Sequence, residues 1–200
     1  MPLLKHNNNS ISNVTSFALV PSGSPVLLAT STASASASIS FTTGIDSTYD
    51  IYKFEFINCH PASDGVNFTF NLSTDSGSNY NVTKTTTAFW SIHDEADTTT
   101  QLIYKTDRDL AQSTAFQPLD GQLDNANDAS SSGTLTLFNP SSTTYVKHFI
   151  SNCNNLGDGD YSIQNFVAGY GNTTSAVNAI RFQMSSGNID AGTIKMYGIK

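Results

Sequence analysis

Charge is what this chain has least of. Asp, Glu, Lys and Arg make up 12% of its 200 residues, about half of the roughly 25% usual for a soluble domain. Only nine residues are Lys or Arg, and the net charge is -7. Phosphate backbones are held by clustered cations. The one close basic group, Lys105 and Arg108, is interleaved with Asp107 and Asp109, so no nucleic acid is expected as a partner. An acidic surface also disfavours anionic membranes, and no membrane contact is expected. Long apolar runs are missing too: residues 17–29 are broken by Pro21, Gly23 and Pro25, far short of a membrane helix. The apolar start at Leu3 and Leu4 drops at once into Asn7, Asn8 and Asn9. No secretory leader is expected, which points to synthesis in a cytoplasm and release by a route such as host lysis.

Cysteine is scarce. Cys59 and Cys153 both end apolar alternations beside Asn, a setting equally suited to a disulfide across neighbouring strands and to two half-buried free thiols. No C-x-x-C or H-x-x-x-H spacing marks a zinc site.

What replaces charge is Ser, Thr and Asn, about a third of the chain. These residues suit strands and turns and compete with helix hydrogen bonds. The hydrophobic pattern agrees. Tyr52, Phe54 and Phe56 share one phase, against Ile51, Lys53, Glu55 and Ile57. Val66, Phe68, Phe70 and Leu72 share another, against Asn67, Thr69 and Asn71. Period two with one apolar face is the mark of a half-buried sheet. Further strands are expected over residues 86–93, 101–105, 134–139, 145–152, 162–170, 176–185 and 192–199, with Gly-, Pro- and Asp-rich turns between them. About ten short strands imply an all-β fold, a two-sheet antiparallel sandwich that is jelly-roll-like. Residues 107–115 are the best place for a single helical turn, and the polar stretch 120–133 reads as an exposed loop.

The first forty residues differ. Residues 31–40 alternate small side chains, fit for a first strand or for lying under another chain. A short N-terminal arm, residues 1–15, is expected ahead of one domain, residues 16–200. Leu3, Leu4, Phe17 and Leu19 are candidates for an assembly segment.

Candidate chemistry is thin. His93, Asp94, Glu95 and Asp97 form the densest titratable group, but adjacent residues of a strand point to opposite faces; a solvated strand end accounts for them. Asp120, Asp124 and Asp128, or Asp158 with Asp160, could offer oxygen ligands to calcium. Neither set has the EF-hand pattern, and turn chemistry accounts for both. No G-x-S-x-G elbow occurs, and no pair of carboxylates stands out for glycoside hydrolysis. No catalytic residue and no cofactor is expected. Trp90 lies within the expected strand 86–93, and Tyr80, Tyr104, Tyr161 and Tyr170 lie near expected turns; such aromatics either edge the core or stack on sugars and protein partners.

Several segments carry a likeness to known proteins: residues 40–50 (Ser40-Phe41-Thr42-Thr43-Gly44-Ile45-Asp46), Tyr52-Lys53-Phe54-Glu55-Phe56-Ile57-Asn58 with His60-Pro61, Phe138-Asn139-Pro140-Ser141-Ser142, and Met184-Ser185-Ser186-Gly187-Asn188-Ile189-Asp190 running on to Tyr197-Gly198-Ile199. From about residue 20 onward the chain resembles small virion structural proteins of marine bacteriophages, of tail, fibre or capsid-decoration type. The resemblance supplies no catalytic residues. It implies a non-enzymatic structural protein on the exterior of the particle, with other virion proteins as partners. The last expected strand runs to Ile199, so attachment is expected through the N-terminal segment. Such surface proteins commonly associate with themselves, and a homo-oligomer, a trimer, is expected. The alternative is a tail adhesin domain that binds a host-surface glycan.

Overall fold

The period-two alternation carries through to the folded chain. The computed structural model describes residues 23–200. The expected arm (residues 1–15) and the assembly candidates Leu3, Leu4, Phe17 and Leu19 lie outside the described residues. Within them the strands, in chain order, are β1 (Val26–Ser36), β2 (Ile39–Phe41), β3 (Ile51–Pro61), β4 (Val66–Ser73), β5 (Lys84–Asp94), β6 (Thr100–Tyr104), β7 (Gln117–Leu123), β8 (Ser131–Phe138), β9 (Lys147–Gly157), β10 (Tyr161–Gly171), β11 (Ala179–Met184) and β12 (Ile189–Ile199). Every pairing is antiparallel.

Hydrogen bonding links all twelve strands into one sheet, which divides into two layers of unequal width. The large one runs β1-β12-β3-β8-β9-β10-β5-β6, and the small one β7-β4-β11-β2. They join only where Leu123 of β7 meets Gly157 of β9, and there the layer folds over. Without the hairpins β5–β6 and β9–β10, eight strands remain, ordered β1-β12-β3-β8 and β2-β11-β4-β7. That is the order of a jelly roll, two Greek keys wrapped face to face. The all-β, jelly-roll-like sandwich is therefore the observed fold. The two hairpins widen one sheet to eight strands while its partner stays at four.

The sandwich core is phenylalanine. Tyr52, Phe54 and Phe56 of β3 and Phe68, Phe70 and Leu72 of β4 are buried on the phases expected for them. Phe182 of β11 lies at the centre, with ring centroids 5.4 Å from Phe54, 5.2 Å from Phe56 and 5.9 Å from Phe68. Phe70 meets Phe149 of β9 edge-on at 4.9 Å. Edge-to-face pairs of this kind add to simple area burial. Two glycines make close approach possible. A Cβ on Gly133 would sit 2.6 Å from Cys153 Cα, and one on Gly192 (φ +124°) would sit 2.7 Å from the Asn58 carbonyl, where the β12–β3 ladder shifts register.

Four expectations need correction. Residues 107–115 form no helix; the chain makes a turn over residues 106–108, with the Arg108 and Asp109 amides donating to the Lys105 carbonyl. The stretch 120–133 is an exposed loop only over its middle, residues 124–128: Asp120 lies in β7, Ser131 opens β8, and both side chains are buried because each satisfies the other. Asn71 does not face water; its amide donates to the Tyr80 and Thr114 carbonyls, so passing loops cover it. Cys59 and Cys153 are not on neighbouring strands, since β8 runs between β3 and β9. Both are free and buried thiols.

Because Phe182 touches both sheets, Phe182→Ala is expected to cost about 3–5 kcal/mol in urea unfolding. Gln183→Ala, one residue on and facing outward, is expected to stay within about 0.5 kcal/mol.

Candidate functional site

The extension β9-β10-β5-β6 carries buried polar groups among the apolar residues of its inner face and large apolar residues among the polar ones of its outer face. Its inner surface meets the small sheet through polar side chains, Asn165 and Asn155 on β7, Thr86 on Gln117 and Lys84 on Asn71, and is further closed by the connection from β6 to β7. That connection first runs along the free half of β5: the Lys105 amide donates to Ala88, the Thr86 amide to Leu110, and Lys84 and Ser113 exchange two backbone bonds. It then folds over Trp90. Lys105 Nζ lies 3.9 Å above the indole centroid and the Arg108 guanidinium carbon 4.7 Å from it. Below, Asp120 is wholly buried. Its carboxylate accepts the Gly121 amide at 2.9 Å and also hydrogen bonds from Ser131 and Asn165. Gln117 ties the layers together, accepting from Thr86 Oγ1 and donating to the Arg108 carbonyl. At the far end of β5, buried Lys84 donates to Asn71 and to the Val82 carbonyl.

The outward surface of the same strands differs in kind. The ladder register sets Tyr104, Phe89, Phe166 and Asn152 in one row across β6, β5, β10 and β9. Phe89 and Phe166 stack at 4.8 Å with their planes 14° apart. The next row holds Thr87, Ala168 and Ile150, and beyond it stand Thr85, Tyr170 and His148. On the other side lie Leu102, Ser91, Gln164 and Asn154. Leu102 is 74% exposed, Ile150 56% and Phe89 41%. A groove of about 460 Å³ opens among Phe138, His148, Ile150, Ala168 and Tyr170. A second depression, of about 570 Å³, is flanked by His93, Gln101, Leu102, Asn154 and Gln164. No Asp, Glu, Lys or Arg points outward from these four strands.

The five aromatic candidates separate. Tyr104 and Tyr170 belong to this outward face; the Tyr104 hydroxyl donates to Asp109 Oδ2 at its rim, and the Tyr170 ring packs 6.0 Å from His148. Tyr161 opens β10 at the sheet end, next to the turn at Asp158 to Asp160. Tyr80 stands on the opposite side of the molecule under the Arg181 guanidinium, 4.1 Å away. Trp90 is 4% exposed; it shares its phase with Ala88, and both point inward, so it is a covered ring and not a rim platform. Residues missed by the sequence reading are Phe89, Phe166, Ile150 and Leu102. Their signal is present: each is a large apolar residue out of phase with the inward set of its own strand.

The acidic groups considered for metal or proton chemistry do not converge. His93 contacts Asp97 at 3.1 Å. Asp94 closes its turn by accepting from Thr98 and Thr99, and those bonds, led by the Thr98 hydroxyl, hold its pKa at about 2. Among the described residues no three His, Cys, Asp or Glu side chains come together. Asp124 and Asp128 do not accompany Asp120 into the interior.

The buried groups make stability depend on pH in an unusual way. Burial pushes Asp120 up to about 7, against hydrogen bonds from Ser131, Gly121 and Asn165 and the nearby Arg108 cation, which favour the carboxylate. Its ordinary value is 3.8, so folding takes up a proton between these limits and stability falls as pH rises through them. Desolvation lowers Lys84 from 10.5 to about 7, so its contribution grows as pH rises above that point. The urea midpoint is expected to fall between about pH 5 and pH 7 and to recover toward about pH 9, with each group contributing at most about 1.4 kcal/mol per pH unit. Asp120→Asn is expected to abolish the falling limb. A midpoint that rises from pH 5 to pH 7 in the unmodified chain contradicts this assignment of the interior.

No protein-family model matches the chain, and neither the curated proteins nor the solved structures give a match to it.

Proposed function

We propose that the chain is a non-enzymatic structural protein of a bacteriophage particle, displayed on the exterior as a capsid-decoration, head-fibre or tail-fibre subunit. It is attached through its N-terminal segment to other virion proteins, and it self-associates, as a trimer. One observation carries the reading: the outward face of the extension is a partly apolar sheet face without Asp, Glu, Lys or Arg, which suits contact with another macromolecule. The segment likenesses to marine phage virion proteins supply the particle. The jelly-roll sandwich supports it physically, because hydrogen bonding that runs through all the described strands leaves few unpaired edges.

A second reading, a glycan-binding tail adhesin, is favoured by the amides Asn152, Asn154 and Gln164 set beside the Phe89–Phe166 stack. Aromatic rings flanked by amides are the usual furniture of a sugar site.

Immunogold labelling of intact particles with an antibody to the chain tests the first reading. Label over the head is expected for capsid decoration, and label at one vertex for a tail or fibre subunit. Purified particles that carry no label overturn it.

A further inference from the structure

A sheet with one solvated face keeps apolar side chains inside and polar ones outside. In β5, β9 and β10 this division is partly reversed. Lys84, Thr86, Ser151, Asn155 and Asn165 point inward and are buried, while Phe89, Ile150, Phe166 and Tyr170 point outward. Strands with large apolar residues on both phases are the kind found buried on both faces. The inner face already has its cover in the β6–β7 connection. The outer face has none among the described residues.

Charge identifies the occupant. The chain carries -7 overall, so most pairs of surface patches from two copies would bring carboxylates together. The outward face of the extension is the exception, because it presents no Asp, Glu, Lys or Arg; its two histidines, His93 and His148, stand toward the rim. Depletion of charge with enrichment of aromatic residues marks the centre of protein–protein interfaces. Most charged groups around this face are already engaged: Asp97 contacts His93 at 3.1 Å, Asp94 accepts from Thr98 and Thr99, Asp109 accepts from Tyr104 and, two strands away, Lys53 pairs with Glu55 at 3.0 Å; Glu95 stands exposed at the strand end. The aromatic geometry argues the same way. Phe89 and Phe166 are stacked on each other, which occupies one face of each ring and leaves half of the stacking surface a sugar would use. We propose that the outward face of β9-β10-β5-β6 is the surface through which copies of this chain associate, centred on Phe89, Phe166, Ile150 and Leu102. This rests on the self-association in the reading above and names its surface.

Sedimentation equilibrium of the full chain tests it. The unmodified protein is expected to associate at micromolar concentration. Ile150→Lys and Leu102→Lys, both at exposed positions that leave the protomer's packing intact, are each expected to raise the dissociation constant at least tenfold, with circular dichroism unchanged. Gln183→Lys, on the far sheet, is expected to have no effect. A chain that stays monomeric to about 100 μM, a concentration at which even a weak specific contact populates the oligomer, overturns the proposal. So do lysine variants that associate like the unmodified chain, and so does association that is lost only when residues 1–15 are removed. Glycan capture by a monomeric chain overturns it in favour of the adhesin. The two readings fail distinguishably: labelled particles with a monomeric chain remove this surface and the self-association but leave the virion assignment, and an oligomer absent from particles removes only the virion assignment.

Discussion

The structure turns on a mismatch of widths. A four-stranded sheet has to cover an eight-stranded one, and it covers only the jelly-roll half. There the solution is conventional: Phe182 and its neighbours form a dry layer that holds β3 against β4 and β11. Over the extension the small sheet reaches only with side chains, Gln117 and Asp120 of β7 and Asn71 of β4. The rest of the inner side is closed by an irregular connection, whose backbone groups demand hydrogen-bond partners. Thr86 and Gln117 supply two of them. The polar groups in this interior follow from covering a sheet partly with loop, and the large apolar residues on its outer side are what remains of that sheet's packing capacity.

The same constraint explains how few charges reach the surface. Lys84, Arg108, Asp120 and Lys147 are all buried, in a chain that has little charge to begin with. Each is held by hydrogen bonds or by the Trp90 ring rather than by a close salt bridge. Burying charge is costly unless it is compensated, and here the compensation comes from Asn, Ser and backbone carbonyls. An abundance of Ser, Thr and Asn therefore does two jobs: it makes the strands and turns, and it solvates charges where water is absent.

Much of the fold was legible because period two is a strong signal where one side is dry. The phases of Tyr52–Phe56 and Phe68–Leu72 were readable for that reason. β7 was hidden, since Asp120, Gly121 and Gln122 look like loop residues until Ser131 and Asn165 are seen to satisfy the carboxylate. Those partners are distant in sequence, and no local pattern announces them. Trp90 was open between a core-edge ring and an exposed contact, and Ala88, buried on the same phase of the same strand, is the guide to its inward position. The candidate surface was overlooked for a related reason. Once the inward phase of β5 or β10 is assigned, Phe89 and Phe166 look like exceptions, and only the ladder register shows that the exceptions on four strands line up.

The account stands or falls on whether that line of exceptions is covered when the protein is assembled. Side-chain footprinting with a short-lived radical, across a range of protein concentrations, measures this directly. Labelling of Phe89, Phe166, Ile150 and Leu102 should fall together as the chain associates, while Tyr80, on the opposite face under Arg181, keeps its reactivity. Labelling of the four residues that stays constant through association would contradict the account and leave the extension as an exposed face with no part in assembly.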